Sequence, residues 1–194
     1  MLIVAADVVR VEGRLRAGEL ACPSCGAVLA PWEHGRPREV RGDLWARFFV
    51  RPRRSRCSSC QVRHVLLPEA IWQRRADAAE VIETGLEIAA LGMRHCWVAA
   101  HLGLAEGTVR GWIRRFTSRA EDVRRYFTVA LVALADDPVM PDSSGTPLAD
   151  AVSAVVAAHR AATMKWSHMN TVSRWEFAGR AITGCILSCS LPAS

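Results

Sequence analysis

The sequence predicts an α+β protein built from a small β segment, a three-helix segment and a helical C-terminal tail. Short strand-like runs interrupted by glycine and proline occupy residues 1–68 and carry two Cys-x-x-Cys pairs. Apolar residues then recur at helical spacing over residues 70–120, with a glycine turn between two of the helical patterns. Residues 121–194 are again helical, apart from a loop at 136–147 that contains three prolines. We therefore expect three structural segments with these boundaries.

Composition and charge narrow the class of protein. Hydrophobic residues make up 51% of the 194 residues and charged residues 23%, which excludes disorder along the whole chain. The formal net charge is +6, and residues 1–75 carry 14 basic but only 7 acidic side chains. All basic residues except Lys165 are arginines, whose planar side chains suit phosphates and guanine edges. This balance favours polyanionic partners, although a GC-rich genome would also enrich arginine.

Four of the seven cysteines form two closely spaced pairs. Cys22 and Cys25 make the first pair, Cys57 and Cys60 make the second, and positions 26–56 lie between them. Each pair can form a tight turn that directs both sulfurs at one ion, and Gly26 supplies the positive φ that such a turn needs. Two such turns make a tetrahedral four-sulfur site, the common geometry of structural zinc. Together with predicted strands at 39–41, 44–50 and 63–67, the spacing indicates a zinc ribbon with Zn²⁺ as its cofactor.

Other interpretations of the cysteines remain open at this stage. Iron also occupies four-sulfur sites, and His34 or His64 could compete as a ligand. A redox-active pair would require a βαβ context that the sequence does not show. The three further cysteines lie in apolar helical stretches and are expected to be small core residues: Cys96, Cys185 and Cys189.

Arginines are concentrated around the second cysteine pair. Nine of them fall between positions 36 and 63: Arg36, Arg38, Arg41, Arg47, Arg51, Arg53, Arg54, Arg56 and Arg63. Four thiolates on one Zn²⁺ carry a net charge of −2, so Arg53, Arg54 and Arg56 could offset that charge or meet phosphates. The alternative is a basic surface that is merely solvated. Because successive side chains of a strand point to opposite faces, the nine arginines cannot all share one face.

Residues 95–114 match the pattern of a helix-turn-helix. Val98, Ala99 and Leu102 share the inner face of a first short helix, and Gly103 supplies the turn. A second helix is expected over about 105–116, with a core face made of Val109, Trp112, Ile113 and Phe116. An upstream helix over about 75–91 would complete a three-helix, homeodomain-like unit. Its buried residues would be Ala78, Ile82, Leu86 and Ala89, and its outward-facing acids would be Asp77, Glu80, Glu83 and Glu87.

The opposite face of the second helix is the candidate DNA-binding surface. In a DNA complex it would face the major groove, where Arg110 and Arg114, one turn apart, could each reach guanine O6 and N7. Thr108 could bond a phosphate near the helix start, while Ala105 occupies the position of the usual side-chain cap. The predicted DNA-binding residues are Glu106, Gly107, Thr108, Arg110, Gly111, Arg114 and Arg115.

A cysteine ribbon placed directly before a helix-turn-helix resembles the N-terminal DNA-binding part of bacterial transposases. It is even more similar to small stand-alone bacterial zinc-ribbon/helix-turn-helix proteins related to them. The residues that carry the likeness are 22–26, 57–68, 98–115 and the sequence Trp-Glu-Phe-Ala at 175–178. The resemblance implies DNA binding and supplies no target. Gln61 in place of a glycine after Cys60, and Ala105 in place of a cap, depart from its pattern.

Catalysis, export and membrane insertion are not expected. The segment 127–194 is short for the mixed α/β catalytic domain that the likeness to transposases would imply, and four of its five acidic residues lie in or beside one loop. Turn and capping roles are more common for acids in such a loop. The N-terminus lacks a basic leader, and no apolar run reaches about 18 residues. We therefore expect a cytoplasmic protein that is not an enzyme.

The sequence-based conclusion is a zinc-dependent protein that binds double-stranded DNA, either regulator-like or transposase-derived. The alternatives are a protein-interaction adaptor that uses zinc and helices as a scaffold, and a DNA-binding accessory of a transposase. The two tail helices, expected at 148–164 and 171–187, would either pack within the chain or form a homodimer surface, since helix-turn-helix units commonly read two half-sites.

Overall fold

The computed structural model describes residues 2–5, 7–42 and 46–182 of the chain. In this part of the chain it is an α+β protein, as predicted. A four-stranded sheet, a two-stranded hairpin and one helix come first, and the other helices follow. The tail positions 183–194, which include Cys185 and Cys189, lie outside the described residues.

The four-stranded sheet lies beside both cysteine pairs, of which Cys57 is the member inside a strand. Its strands are ordered β1 (Leu2–Val4), β6 (Arg63–Pro68), β5 (Arg53–Cys57) and β2 (Leu29–His34). β1 runs parallel to β6, whereas the other neighbours are antiparallel. The separate hairpin pairs β3 (Arg38–Arg41) with β4 (Arg47–Val50). The strands predicted at 39–41 and 63–67 are confirmed; the one predicted at 44–50 forms over 47–50, and positions 44 and 45 lie outside the described residues.

A helix, α1 (Val8–Arg16), interrupts the segment for which the sequence predicts only strands. The side chain of Asp7 caps it by accepting hydrogen bonds from the backbone N–H groups of Val9 and Arg10. Val11 and Leu15, one turn apart, are its buried residues. Three β-branched valines favour a strand by propensity alone, but the cap and the four-residue spacing of the buried positions decide the outcome.

Helices make up most of residues 79–182, and none of the helices in the described ranges is long and apolar enough to cross a membrane. The helices are α2 (Ala79–Ala90), α3 (His95–Leu102), α4 (Glu106–Thr117), α5 (Ala120–Leu134), α6 (Pro147–Lys165), a short 3-10 helix (Ser167–Thr171) and α7 (Arg174–Ala181). α2 begins at Ala79 and not at the predicted position 75. It crosses α3 and α4 at Gly85, where a Cβ would lie only 3.2 Å from the Leu102 Cδ1 atom.

Two hydrophobic clusters divide the interior. The smaller one joins β1, α1, β2, β5 and β6 and consists of Val4, Val11, Leu15, Leu20, Cys22, Leu29, Cys57 and Leu66. The larger one runs from Val40 and Leu67 through all the long helices to Ile182. Cys22 and Cys57 therefore belong to the smaller cluster, and the helices share the larger one.

The tail packs within the chain. α5 and α6 lie along each other, and α6 also contacts α2 and α4. Trp175 of α7 sits against Trp72 and Phe116, with ring centroids 5.9 and 6.0 Å apart. Within α6, Val152 and Val155 are buried but Val156 is exposed. Intramolecular packing thus accounts for most of the apolar face that the sequence also permits as a dimer surface.

The acidic face predicted for α2 is largely inward. Of its four acids, only Glu80 is exposed. Asp77 is buried and pairs with Arg41, with Arg41 Nε 2.7 Å from Asp77 Oδ1. Glu87 accepts a hydrogen bond of 2.6 Å from the indole N–H of Trp175. The outward placement is confirmed for Glu80 and wrong for Asp77, while Glu83 and Glu87 are half-buried. Helical spacing alone does not reveal the distant segments that cover part of this face.

Glu83 makes the stability of the helical core dependent on pH. Burial, followed by the nearby charges of Glu87, Glu80 and Glu176, raises the pKa of Glu83 to about 8, whereas its ordinary value is 4.5. Between these values the folded state binds more protons than the unfolded state, so the free energy of unfolding falls as pH rises. We expect a decrease on the order of 2–4 kcal/mol between pH 5 and 8. In denaturant unfolding, Glu83→Gln should lose most of this decrease, while Asp137→Asn, an exposed control in the loop between α5 and α6, should keep it.

Candidate metal centre and arginine face

The four predicted metal ligands converge. The ligand atoms of Cys22, Cys25, Cys57 and Cys60 all lie within 4.8 Å of one another. Cys22 Sγ is 3.7 Å from Cys60 Sγ, and Cys25 Sγ is 3.4 Å from Cys57 Sγ. A tetrahedral site with metal–sulfur bonds of about 2.3 Å has sulfurs about 3.8 Å apart. The four sulfurs are therefore close enough to hold a single metal ion.

Both cysteine pairs form the same local turn. The backbone N–H of Ser24 donates to Cys22 Sγ, and that of Ser59 donates to Cys57 Sγ, each at 3.4 Å. The residue after each pair is left-handed, with φ of 75° at Gly26 and 62° at Gln61. The predicted positive φ at Gly26 is confirmed. Gln61 takes the same conformation without being glycine, and its side chain donates a hydrogen bond to Ser58 O.

The environment of the sulfurs lowers the pKa of Cys57 and raises that of Cys60. Burial opposes ionisation of Cys57, but the backbone N–H groups of Ser59 and Cys60 and the neighbouring thiols outweigh it and lower its pKa to about 6. The Val62 amide favours the Cys60 thiolate, yet burial and the other three sulfurs raise its pKa to about 12. A divalent cation among the sulfurs would stabilise all four thiolates, so metal binding releases protons.

The two histidines considered as ligands have different positions. His64 is buried beside the cluster, with Nε2 3.3 Å from Cys22 Sγ. His34 is at the end of β2, opposite Arg53, and is not among the clustered groups. His64 is thus placed to donate to a ligand sulfur, as a residue that supports the ligand set. Cys96, expected in the core, is exposed on α3 instead, because its helix turns Val98 and Ala99 inward.

The left-handed turn after the first cysteine pair gives a testable prediction. We expect Gly26→Ala to weaken metal binding by about 1–2 kcal/mol, because a Cβ is disfavoured at positive φ, although no atom would lie within 4 Å of it. Gly13→Ala is the matched control: it lies inside α1, also in open space, and should be neutral or stabilising. Competition with a chromophoric zinc chelator measures both affinities. Equal affinities for the two variants would contradict this role of the turn.

The arginines around the second cysteine pair are largely engaged within the sheet and the hairpin. Arg53 pairs with Glu12 at 2.8 Å, Arg54 with Glu33 at 2.8 Å and Arg47 with Glu39 at 2.6 Å. The guanidinium groups of Arg56 and Arg63 lie 5.0 and 5.3 Å from the Trp32 ring centroid. Much of the basic charge predicted for phosphates or for the metal site is thus matched by acids and an aromatic ring of the same chain.

The α3–α4 pair has the turn that its sequence predicts. Gly103 is left-handed with φ of 64° and ends α3, and Leu104 packs beside the core. α4 buries Val109, Trp112 and Phe116. Ala105 is its N-cap and provides no side-chain hydrogen bond, as expected. Glu106 lies at the start of α4, where its Oε1 is 2.9 Å from His95 Nε2, so this predicted DNA-binding residue links the starts of the two helices.

The structure brings together five of the seven predicted DNA-binding residues. An open pocket of about 330 Å³ is lined on the α4 side by Gly107, Thr108, Gly111, Trp112, Arg114 and Arg115. Arg110 is exposed next to this pocket without lining it, and Glu106 is also outside it. The other wall is the segment 74–77, which includes Arg74 and Arg75.

The sequence does not predict that Arg74 and Arg75 line this pocket. The helical pattern places residue 75 at the start of a helix, whereas the helix begins at Ala79 and residues 74–77 are a separate wall. The only local signal is the adjacent pair of arginines, because the approach of this segment to α4 is a tertiary contact. We call this pocket, with its lining Arg74, Arg75, Arg114 and Arg115, the arginine pocket.

Comparisons with known proteins identify no relative of this chain. No protein-family model matches the sequence, and neither a curated protein nor a solved structure matches it. The function is therefore inferred from the residues and geometry of this chain.

Proposed function

We propose that this protein binds double-stranded DNA, with α4 as the helix that enters the major groove and zinc as the ion of its four-cysteine site. The observation that carries the proposal is the division of α4 into two faces. Val109, Trp112 and Phe116 are buried, whereas Arg110 and Arg114 are exposed on the other side. A helix held by its core face and presenting arginines opposite it is suited to reading a groove.

The exposed face of α4 can approach DNA closely. Arg110 and Arg114 are one turn apart, so both can reach neighbouring base pairs, and arginine binds guanine O6 and N7 in a bidentate manner. Gly107 has no atom within 4 Å of the position that a Cβ would occupy. Its absence of a side chain leaves the helix backbone open to a groove wall, which offsets the weak helix propensity of glycine.

Zinc fits the four-cysteine site better than a hard cation does. Thiolate is a soft donor, and four of them favour zinc or iron in tetrahedral geometry. All four positions are taken by the protein, so the ion would have a structural role without an open position for a substrate. Bound there, it would hold Cys22 and Cys25 before β2 to Cys57 and Cys60 at the β5–β6 turn.

We propose a binding role without catalysis, regulator-like or transposase-derived. The acidic residue Asp150 illustrates why the tail acids do not require a catalytic explanation. Its carboxylate accepts hydrogen bonds from the backbone N–H and the hydroxyl of Ser144, at 2.6 and 2.7 Å. These contacts hold the loop against the first turn of α6, whose N-cap is Thr146, so the role of Asp150 is structural.

The salt dependence of duplex binding tests the proposal. With roughly four to six phosphate contacts, we expect the logarithm of the binding constant to fall with the logarithm of salt concentration with a slope of about −4 to −5. Fluorescence anisotropy of a labelled mixed-sequence duplex with the zinc-loaded full chain measures this slope. Absence of duplex binding at low salt would overturn the proposal and favour the adaptor interpretation.

A further inference from the structure

The arginine pocket concentrates positive charge at one flank of α4. Arg74 and Arg75 come from one wall, and Arg114 and Arg115 from the other. Among the described residues that line this pocket, Asp77 is the acidic one, and its carboxylate is already paired with Arg41 at 2.7 Å. Four arginines and one carboxylate therefore line a space of about 330 Å³.

The wall that carries Arg74 and Arg75 is fixed to the hairpin. The backbone N–H of Arg41 donates to Ala76 O, and that of Ala78 donates to Arg41 O, both at 2.8 Å. The Arg41–Asp77 ion pair adds a side-chain link at the same point. The wall is thus positioned by strand β3 on one side and by the start of α2 on the other, so its distance from α4 is set by the fold.

Two local features show that bringing these arginines together is energetically unfavourable without a bound anion. Arg74 is left-handed, with φ of 58°, a conformation that arginine rarely adopts. Burial and the charge of Arg115 lower the pKa of the Arg75 guanidinium, while the charge of Asp77 acts in the opposite direction. The charges of Arg75 and Arg115, on opposite walls, therefore repel each other. An anion between the walls would reverse that repulsion, since each guanidinium could then donate hydrogen bonds to it.

We propose that the arginine pocket is a seat for a phosphate group, and that in the DNA complex it holds one backbone phosphodiester beside the groove that α4 enters. Arg74 and Arg115, from opposite walls, bind the same phosphate. The inference rests on the proposed function for the source of the phosphate. It adds a contact that fixes the register of α4 on the duplex and that is independent of base sequence.

A double-mutant series on the full zinc-loaded chain tests the seat. We expect Arg74→Gln to weaken binding to all duplex sequences alike and to reduce the magnitude of the salt slope by about 1. Arg115→Gln should give the same loss. Because both residues serve one phosphate, the double variant should also lose only about 1 in slope. Arg10→Gln, an exposed position on α1, removes the same charge elsewhere and should leave the slope unchanged.

A second arm uses inorganic phosphate as the probe. Nitrogen-15 spectra of the arginine side chains should show saturable shifts of the Arg74 and Arg115 Nε–H signals with phosphate, but not with chloride at equal ionic strength. Such shifts in a protein that binds no duplex would overturn the proposed function and leave a seat for free phosphate. A slope for Arg74→Gln equal to that of Arg10→Gln, with duplex binding intact, would overturn the seat alone. Slope losses that add to about 2 in the double variant would overturn the shared phosphate.

Discussion

Removing the metal is expected to unfold the four-stranded sheet and α1 while the larger helical core stays folded. Among the described residues, the smaller hydrophobic cluster contains eight buried side chains, and two of these, Cys22 and Cys57, are themselves proposed ligands. So small a core cannot offset the conformational entropy of its strands. Structural zinc supplies apparent binding free energies of about 10–16 kcal/mol in zinc-finger peptides at pH 7, which is enough to decide whether such a unit folds.

Chelation and the variant Cys57→Ser measure this expectation. Far-ultraviolet circular dichroism should retain most of its helical signal, while amide signals of β2, β5 and β6 lose their dispersion in NMR spectra. Cys96→Ser is the control, because Cys96 is exposed and outside the cluster, and it should bind metal and fold like the unchanged chain. A sheet that keeps its dispersed signals in Cys57→Ser would show that the metal does not hold it.

Replacing Arg110 and Arg114 with alanine is expected to cost the protein most of its specific DNA affinity. Each bidentate arginine–guanine contact is worth about 1–3 kcal/mol of discrimination, so the double variant should lose about 2–6 kcal/mol for its preferred site. Binding to unrelated duplexes should fall much less. Both side chains are exposed on α4, and removing them should leave the thermal unfolding midpoint nearly unchanged.

Arg10→Ala with Arg160→Ala provides a charge-matched control for that variant. Both residues are exposed on other helices, α1 and α6, and their loss lowers the net charge by the same amount. Anisotropy titrations with the preferred duplex and a scrambled duplex compare the two double variants. Equal affinities of the two for the preferred duplex would show that α4 takes no part in sequence recognition.

The parts of the structure that the sequence predicts are those fixed by short-range spacing. A Cys-x-x-Cys turn needs only its own four residues and a left-handed residue after them. The glycine at position 26 indicates such a residue in the sequence, and its φ is positive in the structure. The Gly103 turn and the buried positions Val109, Trp112 and Phe116 likewise follow from local chemistry and helical period. Gln61 shows the limit of this reasoning, because its left-handed turn is imposed by the second cysteine pair and not by its own preference.

The parts that the sequence does not predict depend on contacts between distant segments. Asp77 is buried where it pairs with Arg41, 36 positions earlier, and the pKa of Glu83 is raised by burial and by charges that include that of the distant Glu176. The arginine pocket is of the same kind: its two walls are distant in sequence and meet only because β3 fixes segment 74–77. α1 escapes prediction because a cap at Asp7 outweighs the strand preference of its valines.

Selection of the full zinc-loaded chain from a random duplex library tests most directly whether α4 reads double-stranded DNA. The selection is run at near-physiological salt, in parallel with Arg110→Ala/Arg114→Ala. We expect an enriched motif containing guanines for the unchanged chain and loss of that motif for the variant. No enrichment by either protein, or the same motif enriched by both, would contradict DNA reading by α4.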